Sequence, residues 1–76
     1  MEKKVRKILS DLFSLPIEKI DINTSMETVE DWDSRQHLNL ILALEQEFDI
    51  SLTVDEVTSM TGYKQIISIL SGKKLH

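Results

Sequence analysis

The chain has no cysteine, one proline, two glycines and few aromatics: two Phe, one Trp and one Tyr. Without cysteine there is no disulfide framework, no thiolate metal site and no cysteine nucleophile. Scarcity of Gly and Pro deprives the chain of turn formers, which disfavours a many-turned β fold and favours helices. No apolar run approaches the ~20 residues of a membrane-spanning helix, and the basic, polar N-terminus has no signal-peptide core. No membrane insertion and a cytoplasmic location are therefore expected. With 76 residues, one domain over 1–76 is expected, with a small core, because a chain this short buries only about 60% of its unfolded surface. Positive charge is also short: nine Lys and Arg stand against thirteen Asp and Glu, net −4. That sign argues against nucleic acid as a general partner.

The distribution of charge says more than the total. Residues 1–17 carry four basic and two acidic side chains, net +2, and residues 57–76 carry three lysines and no acid, net +3. Between them, residues 18–56 hold eleven acids against Lys19 and Arg35, net −9. The acids crowd around one helix start, which suits a basic protein partner docking there.

Hydrophobic spacing predicts three main helices, one short helix and a long first loop, a small all-α bundle. Val5, Ile8, Leu9, Leu12 and Phe13 form one face of a helix over 2–15, with Lys3, Lys4, Lys7 and Asp11 opposite and Pro16 as its stop. From Pro16 to Asp33 no helical period is sustained. Loops of that length are usually functional or disordered, and the recurrence of Ile17, Ile20, Ile22, Met26, Val29 and Trp32 predicts side chains pinned against the bundle. Thr24 and Ser25 suit the cap of a short turn within it. A second helix is expected over 34–48, capped by Asp33, with Gln36 completing a D-x-x-Q box. Its run Leu38, Leu40, Ile41, Leu42, Ala43, Leu44 is apolar over more than one face, which predicts a central helix buried on several sides. Thr53-Val54-Asp55-Glu56 is a T-x-x-E capping box opening a short helix over 53–60. A last helix is expected over 63–71, with Ile66, Ile67, Ile69 and Leu70 inward, Gly72 as C-cap, and a frayed tail beyond.

Catalytic chemistry is hard to place on this sequence. His37 and His76 lack metal-ligand spacing, and His37 reads as an ordinary surface or boundary histidine. No Gly-rich phosphate loop exists, and the carboxylates sit at helix starts and in loops without an apolar pocket to tune them. The chain is therefore not expected to be an enzyme. The most unusual local feature is Glu30-Asp31-Trp32-Asp33-Ser34-Arg35. It puts a serine in the first turn of a helix, where the positive end of the dipole tolerates an attached phosphate. Serine is also common at helix starts for purely local reasons, so spacing alone leaves both roles open for Ser34.

The stretch from Asp33 to Phe48, Asp-Ser followed by an apolar run and closed by Ala43-Leu44-Glu45-x-Glu47-Phe48, resembles the signature of acyl carrier proteins. The resemblance extends over nearly the whole chain, in length, helix order and the Thr24-Ser25-Met26 loop that leads to the serine. It implies a four-helix acyl-carrier-like fold, with 4′-phosphopantetheine attached to Ser34 by a separate phosphopantetheinyl transferase using coenzyme A. It implies that Asp33 orients that site as well as capping the helix. It further implies that Glu30, Asp31, Glu45 and Glu47 meet basic patches on loading and acyl-processing enzymes, with Arg35 a partner contact beside the serine; a monomer is the expected state. Leu38, Leu40, Ile41, Leu42 and Leu44 are expected in the core, some bordering a cleft for cargo.

Departures from the family pattern lie beside the serine. Arg35 stands where the family usually has leucine, and Gln36, Asn39 and Gln46 stand where acids are common. Exchanging an apolar contact for a cation changes the partners the site accepts. An aminoacyl or peptidyl carrier, and an unmodified interaction module of the same fold, are the alternative readings.

Overall fold

The computed structural model describes residues 2–73. They form four helices, α1 (Glu2–Phe13), α2 (Ser34–Phe48), α3 (Val54–Ser59) and α4 (Tyr63–Gly72), with a 3-10 turn at Ile17–Lys19. The all-α bundle expected from the hydrophobic spacing is the observed architecture. Val5, Leu9 and Phe13 of α1 bury against Leu40, Ile41 and Leu44 of α2 and Tyr63, Ile66 and Leu70 of α4. Ile20, Val29 and Trp32 from the long connection, with Met60, complete the core. Each such side chain contributes about 1.5–3 kcal/mol by leaving water.

The central element is α1, which packs on α2, α4 and the 3-10 turn. The expectation of an α2 buried on several sides is corrected. Leu40, Ile41 and Leu44 are buried, whereas Leu38 and Leu42 are 61% and 57% exposed and lie outside the core. They stand one turn apart on the outer face, so the apolar surplus of α2 faces solvent. The same correction applies to the loop: Ile20, Val29 and Trp32 are pins, but Ile17 and Ile22 are exposed.

Helices α1 and α2 end alike. Ser14 and Asp49 both take left-handed backbone, φ 55° and 52°, and the next amide donates back across the turn, Leu15 N to Ser10 O and Ile50 N to Glu45 O, both 3.2 Å. This six-to-one closure satisfies end carbonyls that have no helical partner. It ends α1 at Phe13, two residues before the expected position, so Pro16 lies outside the helix and opens the 3-10 turn. At the other end of the chain Gly72 is the last residue of α4, and Lys73 is its C-cap. The expected frayed tail lies, beyond Lys73, outside the described residues.

The long connection is stitched down in its middle. Met26 N donates to Thr61 O at 2.9 Å and Tyr63 N to Thr24 O at 2.8 Å, beside a bridge between Ser25 and Gly62. Thr24 is buried, with its hydroxyl accepting from Asp21 N at 3.0 Å. Ser25 starts the next turn, its Oγ accepting from Glu27 N at 3.2 Å. A β-carbon at position 62 would stand 3.0 Å from Thr24 O and 3.1 Å from the Ser25 side chain, so close approach of the two strands of chain requires glycine there.

Candidate functional site

Asp33 ends the long connection in extended backbone, and its Oδ1 accepts from Gln36 N at 2.9 Å. This satisfies one of the unpaired first-turn amides. The reciprocal half of the expected box is absent, because Gln36 turns away: its Nε2 donates to Leu12 O at 3.4 Å and its Oε1 accepts from Asn39 at 2.9 Å. The Asp33 amide, which that half would bond, donates instead to Asp31 O at 3.1 Å. Ser34 lies there, exposed, flanked by the exposed Asp33 and Arg35. Its hydroxyl is accessible to a modifying enzyme, at the end of the helix that favours an anion.

A second feature of the site was not read from the sequence. Trp32, 2% exposed, stacks on Phe13 with ring centroids 5.1 Å apart. Its indole Nε1–H donates to His37 Nδ1 at 3.0 Å, and His37 Nε2 lies 2.7 Å from Val57 O. A carbonyl only accepts and an indole only donates, so the proton of the neutral imidazole is on Nε2 and the lone pair on Nδ1. Both nitrogens are used. His37 is a boundary residue in location, but it ties the residue before the cap to α2 and α2 to α3. The available signal was a tryptophan and a histidine five residues apart across a helix start; the third partner is a backbone carbonyl twenty residues away, which leaves no trace in side-chain identity.

The charged residues divide into two groups. Glu30, Asp31, Asp33 and Arg35 are exposed around Ser34. Glu45 and Glu47 lie at the far end of α2 and are engaged elsewhere. Glu45 Oε2 accepts from Leu52 N at 2.9 Å, closing the link into α3, and Glu47 pairs with Lys4 at 3.5 Å on the surface. A pair so exposed is worth little. Between Arg35 and Glu45 the outer face of α2 consists of Leu38, Asn39 and Leu42, with no acid on it. Two surface grooves are also present. One, of about 450 Å³, lies between the stitched loop and the α3–α4 junction, lined by Ile22, Met26 and Gln65 among others. The other, of about 270 Å³, lies between α1 and α2 over Ile8, Leu12 and Ala43. Neither includes Ser34.

Residues 3–70 match the protein family described as the phosphopantetheine attachment site. The chain belongs to the acyl carrier protein family. It is 32% identical over 73 residues to an acyl carrier protein of Buchnera aphidicola subsp. Schizaphis graminum, across 96% of this chain and 92% of that protein. A second acyl carrier protein, from Buchnera aphidicola subsp. Baizongia pistaciae, is 31% identical over 70 residues, across 92% and 90% of the two chains. A carrier of this family is not an enzyme; it holds 4′-phosphopantetheine covalently and is served by a phosphopantetheinyl transferase and acyl-processing enzymes. The residues of this carrier fit that group. An exposed serine stands in the first turn of a helix, where an attached phosphodiester meets the positive end of the dipole. No helix among the described residues is long and apolar enough to cross a membrane.

Proposed function

We propose that Ser34 is the attachment residue and that this chain carries acyl groups on the arm it bears. The observation that supports this most is local: an exposed serine in the first turn of α2, directly after the Asp33 cap. Phosphopantetheine supplies a thiol on a flexible arm, which holds cargo as a thioester and so provides the sulfur that the chain lacks. Ser34 Oγ forms the phosphodiester by displacing adenosine 3′,5′-bisphosphate from coenzyme A, its proton passing to the transferase; Asp33 holds the first turn in shape, and the helix end with Arg35 offsets the phosphate charge. Partners meet the exposed start and outer face of α2. Basic patches meet Glu30 and Asp31, with Glu47 extending the acidic contact at the far end. Glu45, committed to Leu52, contributes through the fold. Arg35 calls for a carboxylate opposite it, and Leu38 with Leu42 for an apolar shelf, so partners built to receive leucine after the serine are disfavoured. The carrier works as a single copy in the cytoplasm and binds no nucleic acid. An aminoacyl or peptidyl cargo fits the same attachment chemistry, and no feature of the fold favours it over an acyl chain.

Intact mass before and after incubation with coenzyme A and a broad-specificity phosphopantetheinyl transferase tests the assignment. A gain of one phosphopantetheine is expected for the wild type and none for Ser34→Ala, with the melting temperature nearly unchanged because Asp33 keeps the cap. Modification that persists in Ser34→Ala would move the site elsewhere. A wild-type chain that stays unmodified with several transferases would leave an unmodified interaction module.

A further inference from the structure

The Trp32–His37 hydrogen bond spans the modification site. Trp32 lies two residues before Ser34 and His37 three after it, so the side-chain bond closes a bracket with Asp33, Ser34, Arg35 and Gln36 inside. The bracket is braced from both ends. The indole is buried and stacked on Phe13 of α1, and the imidazole is fixed by its donation to Val57 O of α3 at 2.7 Å. A second bond, His37 N to Asp33 O at 2.8 Å, lies along the same segment. Ser34 itself is exposed and touches none of these groups' polar atoms, so nothing in its own contacts fixes where its hydroxyl points. The bracket fixes the backbone on both sides and so places the serine Cα and Cβ.

Resting on the reading of Ser34 as the attachment residue, we propose that His37 is a positioning residue for its modification. It acts through Trp32, and α3 sets the imidazole for that task. The Val57 carbonyl holds the proton on Nε2, which leaves Nδ1 free to accept; without α3 in place the ring is free to take the other tautomer, whose Nδ1–H faces the indole donor and breaks the bracket. Transfer of a phosphopantetheinyl group requires the serine oxygen in line with the phosphorus, and rates fall steeply with small misplacement. The bracket holds the serine Cα and Cβ in place before the transferase arrives, so only the hydroxyl rotor is left for the transferase to set.

Two conservative variants separate the two bonds. In His37→Asn the Oδ1 takes the place of Nδ1 and still accepts from Trp32, while the bond to Val57 is lost. In His37→Gln the amide reaches the place of Nε2 and still donates to Val57, while Trp32 loses its acceptor. Both are expected to lower the melting temperature, so stability alone does not discriminate. Loading kinetics do: well below the melting point, His37→Gln should lose about tenfold in kcat with KM within about twofold, and His37→Asn should retain most of the wild-type kcat. The indole N–H resonance should move in His37→Gln and hold near its wild-type position in His37→Asn. Equal loading by His37→Gln and wild type, or equal impairment of both variants, overturns the proposal and makes the bracket purely structural. If wild type itself is not loaded, the attachment reading fails and this inference with it; if wild type loads and the variants do not differ, only this inference fails.

Discussion

Helices α2 and α3 sit next to each other in the chain and are held by opposite means. α2 buries Leu40, Ile41 and Leu44 and has one side-chain cap bond, from Asp33, whereas α3 has no buried residue and a complete reciprocal box, Thr53 Oγ1 accepting from Glu56 N at 3.1 Å and Glu56 Oε1 from Thr53 N at 2.9 Å. Lys73 adds an ion pair to Glu56 at 2.9 Å, Glu45 receives the Leu52 amide, and His37 donates to Val57 O. The contrast is one of division of labour. A helix anchored by core burial asks less of its ends, and the Asp33 side chain alone caps the start of α2. A six-residue helix is too short to stand alone, so it depends on polar bonds at its ends.

The sharpest way to break this comparison is to remove a core anchor. Leu44→Ala takes a fully buried side chain from α2 and should cost about 2–5 kcal/mol in denaturant unfolding; a loss below about 1 kcal/mol would mean that α2 does not depend on the core as described. Thr53→Ala removes half of the α3 box and should cost about 1 kcal/mol. Its signature is local: amide exchange should accelerate in α3 and stay near wild type in α1 and α4. Uniform acceleration would show that α3 unfolds only with the whole chain.

The smallest effect sharpens the electrostatic side. The Lys73 ammonium bonded to Glu56, and after it the Thr53 amide, hold the Glu56 carboxyl below the usual glutamate range. The folded value is the lower one, so this contribution is present in full above the ordinary glutamate range and is lost as pH falls through the lowered value. An NMR titration should place Glu56 below a free glutamate, and Lys73→Met should move it back up; an unmoved midpoint would assign the shift to the cap alone.

What the sequence displays of this molecule is what neighbours along the chain decide. The Asp33 cap, the Thr53–Glu56 box and the a-turn spacing of Val5, Leu9 and Phe13 depend on residues three or four apart, and all three are legible without coordinates. The apolar run of α2 is legible as apolar but not as facing: six such residues in seven positions cover more of the helix than α1 can, and only packing decides that Leu38 and Leu42 are left out. Gln36 looks like a box partner until Leu12 and Asn39 offer it other bonds. At the site, Ser34, Asp33 and the acids before them are readable in order along the chain. His37 is not, because its role is set by a carbonyl on α3 and an indole held by α1. Glu45 likewise looks like a free surface acid until the fold brings the Leu52 amide to it.

The stitch between Thr24–Met26 and Thr61–Tyr63 sets an order of events in time. Both sides of that contact are far apart in sequence, and closing such a span costs chain entropy that helices, with their local bonds, do not incur. On a ribosome the first two helices are made before the chain that fastens their connecting loop exists. The loop leading to Ser34 therefore gains this anchor only once residues 61–63 are there to bond it, later than the local bonds of α1 and α2.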